Sequence, residues 1–447
     1  MTNDDMVKHL DDAIASITIV REALAGPVPP LDPVIQVPAG TSLQAAVDQA
    51  PEGATLLLAD GTFTQPKLTI AKRLTLASAT PTPPGRATAT APVWVQGNSD
   101  AAIEISGSGV MLSGLGVRNA TPTGDLVNLT VASSDVTVDR LTGLGDPAQG
   151  QRRGIRLHGT RVKVVQCYFD YIFAVGRDTC VLGGWDGGRD LLIDDCYLCG
   201  GAETIMFGGG DSATPDRIPQ NIRITHCTLT KRPEWFGMGV QIKNAFELKA
   251  AIGVYMADCV LEYAGTNEGQ GAYLMLFTVR NQGGQAPWST VQHVLVERCL
   301  ARYGGGCVQI LGSDTNYPSG TLEDVTLRNV AFQSIDPKGL TGGTGRCFVF
   351  DRAPRAVTLD AITVDGKNLS QLGYFPAAKQ TPPREPVQLT MTNWRYPSTK
   401  YGWFIDAGPH DIPPAADHLQ AYMPDMVYRI TASDAGAVGV PVAEEAR

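Results

Sequence analysis

Apolar and polar residues alternate in short runs along most of the chain, and the runs fall into two sets. The first reads VKVVQCYFD, LLIDDCYLCG, IRITHCTLTK, VYMADCVLEY and VLVERCLARY, with Cys167, Cys196, Cys227, Cys259 and Cys299 at the same point of each. Alternation with period two predicts half-buried strands. Successive cysteines are 29, 31, 32 and 40 residues apart, a spacing typical of stacked repeats. DVTLRNVAF and AVTLDAITV continue the series, with Val330 and Ile362 in the cysteine position.

The second set occupies the same periods: AAIEISG, DLVNLTV, RGIRLHG, CVLGGWD, ETIMFGG, GVQIKN, LFTVRN, CVQILGSD and CFVFDRAP. Two strand columns at one shared period describe a coil whose turns stack about 4.8 Å apart. The predicted fold is therefore all-β, a parallel β-helix. Its cysteines form an internal ladder, because stacked side chains point the same way and five in a row cannot all pair as disulfides.

Both ends depart from this pattern. Met6, Leu10, Ala13, Ile17, Val20 and Leu24 keep a heptad spacing, which predicts a helix over residues 1–25. Residues 26–35, including GPVPPLDP, read as a stiff spacer. The solenoid is expected over 36–365, and residues 366–447 as an irregular cap and loose tail.

Composition narrows the function. A formal charge of −9 argues against a nucleic-acid binder. No apolar run reaches the roughly 18 residues needed to span a bilayer. The start MTNDDMVKHLDDA lacks the basic and apolar regions of a secretory signal, so synthesis in the cytoplasm is expected. FGGGD (Phe207–Asp211) lacks the lysine of a phosphate loop, and the six histidines fit no metal spacing.

Aligning the second set by strand ends puts Gln241, Thr278, Gln309 and Val349 in one outward row. Lys243, Arg280, Leu311 and Asp351 form the next, and Asn244, Asn281, Gly312 and Arg352 the turn after it. Lys243 and Arg280 would then stand about 5 Å apart on adjacent rungs. Two stacked cations need neutralising carboxylates or an anionic ligand. Glu203, Glu247, Asp211 and Asp314 are near, with Asp186 one rung earlier. One reading is a salt-bridge ladder that fixes the turns. The other is a groove for an acidic polysaccharide, with Trp185 and Trp288 as stacking platforms and Asn244, Asn281 and Arg352 as further contacts. A lyase would use Lys243 or Arg280 as base, with Asp186, Asp211 and Asp314 holding Ca²⁺. A glycosidase would use paired carboxylates, Glu203 with Asp211 or Asp314, with Glu247 a further acid at the row.

Ser42–Phe63, SLQAAVDQAPEGATLLLADGTF, resembles the N-terminal cap of pectate-lyase-like right-handed β-helices. IKNAFELKAA and LFTVRNQGGQAPWS resemble a group of bacterial β-helix proteins of unassigned activity. The resemblance spans residues 36 to 365 and implies a right-handed solenoid. It does not select a reaction, because the superfamily includes lyases, hydrolases, epimerases and adhesins. Helix, proline spacer and solenoid follow the order used by phage tail spikes. The expectation is a virion-associated homotrimer, bound to other virion proteins, that binds and in its stronger form cleaves acidic surface polysaccharide. The alternatives are a structural or adhesive β-helix and a stand-alone lyase or hydrolase.

Overall fold

The computed structural model describes residues 32–376, 389–397, 399–405 and 428–429. The heptad segment, most of the spacer and most of the tail lie outside these residues, as do the oligomeric and virion contacts expected of them.

A coil contributes three short strands, as in Thr160–Val165, Tyr168–Ile172 and Cys180–Gly184, and in later coils the first two run together, as in Val291–Arg302. The first two belong to a 22-stranded sheet, and the third to a 12-stranded sheet whose order follows the chain. All the strand pairings between coils are parallel. One column in register runs Val164, Ile193, Ile224, Met256, Val296, Leu327 and Leu359. Every member is buried, and together with the matching column of the second sheet they form one continuous core. The fold is a right-handed parallel β-helix.

The cysteines mark the bend between the first two strands of a coil. Gln166, Asp195, His226, Asp258 and Arg298 precede them, each left-handed with φ between 50° and 55°. A left-handed residue turns the chain sharply, so the next side chain enters the core. All nine cysteines are buried and free. Each ladder thiol donates to the carbonyl two residues back, from Cys167 to Val165 O at 3.3 Å through Cys227 to Thr225 O at 3.1 Å. Cysteine suits this corner because it is small, apolar and still a weak donor. Val330, level with Cys299, and Ile362 take the same position on later coils.

The N-terminal end is closed by the helix Leu43–Gln49. Ser42 caps it, accepting from the Ala45 amide at 3.2 Å, and Leu43 and Val47 enter the core. At the other end, Gln371–Phe375, Leu389–Thr392 and Trp403–Ile405 add rungs beyond residue 365. Trp394, after left-handed Asn393, occupies the corner position. The solenoid thus continues where an irregular cap was expected.

Candidate functional site

The second sheet carries the polar cluster, through a register that differs from the alignment of strand ends. Its rung in this part of the chain is Phe246–Leu248, with Phe246 level with Ile205 and Met275. Lys243 lies three residues before Phe246 and Arg280 five residues after Met275, so the two cations do not stack. Thr278 pairs with Leu311 instead of Gln309, whereas Gln309 with Val349 and Leu311 with Asp351 pair as expected. The run GVQIKN misleads because Val240 and Ile242 are apolar and buried. They enter a separate cluster with Phe173, Cys199 and Trp235, outside the main core. Backbone bonds hold this segment over the sheet: Gln241 N–H to Ala174 O, Lys243 N–H to Ala202 O, and an antiparallel bridge between Val175 and Val240.

Beneath the segment lie Glu203, Asn244 and Glu247. Phe246 and Leu248 point into the core, so Glu247 between them faces out. The register of the flanking strands sets Glu203 level with Asn244 on the neighbouring rung. All three are buried, at 0%, 0% and 1% exposure. Lys243 Nζ is 2.6 Å from Asp178 Oδ1 and 3.6 Å from Glu203 Oε1, and Lys249 Nζ is 3.4 Å from Glu247 Oε1. Lys231 approaches from behind and donates to the carbonyls of Gly200, Gly201 and Ala202 at 2.7 to 3.2 Å.

Burial, followed by the neighbouring Glu247, pushes the Glu203 carboxyl up to about 8, so it holds its proton at neutral pH. Burial pulls Lys249 down, but Glu247 and Glu203 outweigh it and the net shift is upward. Burial brings Lys231 down to about 7. Both Glu203 oxygens, Glu247 Oε2 and both amide atoms of Asn244 are buried without a hydrogen-bond partner. The 3.6 Å contact to Lys243 is an ion pair beyond hydrogen-bond length. Folded proteins satisfy nearly all buried polar atoms, so five on three adjacent residues mark a place where partners are to be supplied.

The charged face continues along earlier rungs. Asp125 is paired with Arg156 at 2.5 Å and Arg153 at 3.4 Å, and burial raises its carboxyl pKa. Trp185 covers both arginines, at 4.7 and 5.4 Å, and takes the His158 ring edge-on at 4.5 Å. Burial and the arginines push His158 down to about 3, keeping it neutral.

The other expected residues are braces. Trp288 Nε1 donates to Ser212 Oγ at 2.9 Å. Asp186 pairs with Arg217 at 2.7 Å and caps the Ala213 amide. Asp211 accepts from the Gly283 and Gln285 amides, and Asp314 from those of Asn281 and Asn316. Asn281 closes the same loop onto Pro318 O, and Arg352 donates to Asp314 O. All three aspartates are taken up by turn amides, Asp211 and Asp314 both at the 281–285 turn and Asp186 at Ala213. Among the described residues no group of three or more His, Cys, Asp or Glu is placed to hold a metal. Arg280 donates to its neighbour's carbonyl, Val279 O. Sequence reasoning thus found Glu203, Glu247, Asn244 and Lys243 but gave Arg280 a false partner. It missed Asp178, joined through Lys243 and Gln241 of the covering segment, and Lys231, joined through the 200–202 carbonyls.

No family model matches the chain, and no characterised protein sequence does either. Solved structures do. The catalytic domain of a GH87 α-1,3-glucanase aligns over 91% of this chain and 69% of its own, with TM-score 0.56 and 11% identity. A polygalacturonase from Erwinia carotovora aligns over 86% and 97%, with TM-score 0.47 and 11% identity. The alginate lyase of a Paenibacillus strain aligns over 83% and 97%, with TM-score 0.34 and 12% identity. At these identities the likeness is one of fold.

Proposed function

We propose that this β-helix binds a polysaccharide against the outer face of its second sheet and hydrolyses it with Glu203 and Glu247. The observation that carries the reading is the buried, unpartnered set of Glu203, Asn244 and Glu247 atoms. A salt-bridge ladder built only to fix the turns would satisfy those atoms, because leaving them unpaired costs stability. Hydroxyl groups of a sugar can both donate to the carboxylates and accept from the amide.

Two carboxyl groups in contrasting surroundings suit glycosidic hydrolysis. Glu203, protonated near neutral pH, gives its proton to the leaving glycosidic oxygen. Glu247, paired with Lys249 at 3.4 Å, acts at the anomeric carbon, on an attacking water or directly. The net change is addition of water across one bond. Lys243 sits over Glu203 and reaches Asp178, whose side chain is 52% exposed, so this cation stands between the acid and the surface. A lyase has less support, since its expected cations stand apart and its expected metal ligands are occupied. The GH87 domain has the same architecture and a carbohydrate-cleaving name.

The test is production of reducing ends from neutral and acidic polysaccharides by the full chain, Glu203→Gln and Glu247→Gln. Cleavage by the native chain and loss of at least 100-fold in both variants is expected for general acid–base partners. Cleavage unaltered by either substitution, or absent on every polymer, would overturn the assignment.

A further inference from the structure

Tyr263, Tyr303 and Ser334 occupy the same bend on successive coils, with φ of 63°, 64° and 52°. Tyr263 donates its amide hydrogen to Arg302 O and Tyr303 to Gln333 O, one coil apart each time. The two tyrosine rings stack, with centroids 4.9 Å apart and planes 23° apart. Phe236 lies against the Tyr263 side of the pair, at 6.2 Å. The next member, Ser334, is too small to continue the stack, so the ladder ends at Tyr303; the Arg302 guanidinium, paired with Glu262 of the preceding coil, lies 5.2 Å from the centroid of that ring.

A cavity of about 520 Å³ lies at this point, lined by Tyr263, Tyr303, Ser334, Asp336, Leu340 and Lys367 among others. A second, of about 420 Å³, shares Gly339, Leu340 and Thr341 with it and extends to Val240 and Ile242, next to Lys243. Each falls within the 300–1,000 Å³ common for ligand sites. The two adjoin, so together they make a cleft from the tyrosine stack to the segment covering Glu203.

We propose that a neutral hexopyranose stacks on Tyr303 as the next layer of this aromatic ladder, and that its chain follows the cleft towards Lys243. The inference rests on the reading of the Glu203 site as a carbohydrate site. A pyranose has an apolar C–H face and a rim of hydroxyls, which matches an aromatic face bordered by polar groups. Leu340, 58% exposed, adds apolar surface to the wall. The polar border is Asp336, Asp365 and Lys367. Asp336 is bonded to Asn368 at 2.8 Å and paired with Lys367 at 3.4 Å, and these contacts hold its carboxyl below the ordinary range. Two carboxylates against one ammonium accept from hydroxyls and repel a uronate. The preference for an uncharged ring follows, in contrast to the acidic polymer expected from the sequence.

Ser334→Tyr tests this directly, because Tyr263 and Tyr303 already occupy the same left-handed bend. It fills the layer a sugar would take. Calorimetric titration of the full chain would use hexasaccharides of glucose, galactose and mannose, with hexagalacturonate as the charged counterpart. A neutral hexasaccharide is expected to bind, and Ser334→Tyr and Tyr303→Ala to weaken it tenfold or more. The melting temperature of Ser334→Tyr should not fall. Unchanged affinity in Ser334→Tyr, preference for hexagalacturonate, or no binding of any neutral hexasaccharide overturns the proposal. Loss of cleavage in Glu203→Gln alongside unaltered Ser334→Tyr affinity would remove the ladder site and leave the carboxylate pair standing. Binding lost in Ser334→Tyr while cleavage ignores Glu203→Gln would do the reverse.

Discussion

Lys243 Nζ stands 3.6 Å from Oε1 of Glu203, a carboxyl with no exposure, while its firm partner is Asp178 at 2.6 Å near the surface. One cation therefore links a sealed acid to an accessible one. The arrangement leaves Glu203 short of a full ion pair and beside a second buried carboxyl. Burial first, and the neighbouring Glu247 next, raise its pKa, and the long contact to Lys243 leaves its hydrogen-bonding capacity open.

Stability should fall with rising pH through this group. The folded pKa of about 8 exceeds the ordinary 4.5, so the folded chain holds the proton more tightly. The contribution is complete below about 4.5 and is lost between there and about 8. Glu203→Gln keeps a neutral side chain at every pH. Thermal melting from pH 4 to 9 should show the variant gaining on the native chain, by a few degrees at the alkaline end. Parallel curves would contradict the shift.

Lys243→Met removes the cation paired with Glu203 and leaves Glu247, Lys249 and Lys231 around it. Breaking a buried ion pair from one side costs on the order of 3–5 kcal/mol. Urea unfolding should show a loss of that size at pH 8 and a smaller one at pH 5, where Glu203 is neutral in either case. An equal loss at both values would locate the effect in packing.

The cysteine corner should tolerate apolar replacement. Cys227→Val copies what Val330 already does on a later coil and should cost less than about 1.5 kcal/mol. Cys227→Ala leaves a cavity in a close-packed column and should cost about 1–3 kcal/mol. Thiol titration should find the described cysteines unreactive in the folded chain and all nine reactive after unfolding. A native chain stabilised by oxidation would refute the ladder of free thiols.

Asp211 accepts from the Gly283 and Gln285 amides and so anchors the excursion that ends at Trp288. Asp211→Asn weakens those bonds, with an expected cost of about 1–2 kcal/mol. Calcium should leave the melting temperature of both proteins unchanged. Stabilisation by calcium in the native chain that disappears in the variant would restore the metal reading.

Legibility followed geometry. The cysteine ladder was readable because a two-strand segment with a one-residue bend repeats with little variation, so one inward position recurs at nearly constant spacing. The rows of the second sheet were only partly readable. Gln309 with Val349 aligned correctly because their rungs have comparable lengths on either side of the pairing. Lys243 with Arg280 did not, because the segment before Phe246 bears apolar residues committed to a different cluster. Val240 and Ile242 have the alternation of a strand without a place in the sheet.

The sequence alone determined the solenoid, its capping helix, the inward columns and the acids of the candidate site. Periodic burial writes itself into residue type at every turn. Only the tertiary structure decided that Asp178 and Lys231 join Glu203, that the three aspartates brace turn amides, and that the tyrosine stack ends beside a cleft. Those relationships run through loops of unequal length. In such loops, distance along the chain no longer measures position on the sheet.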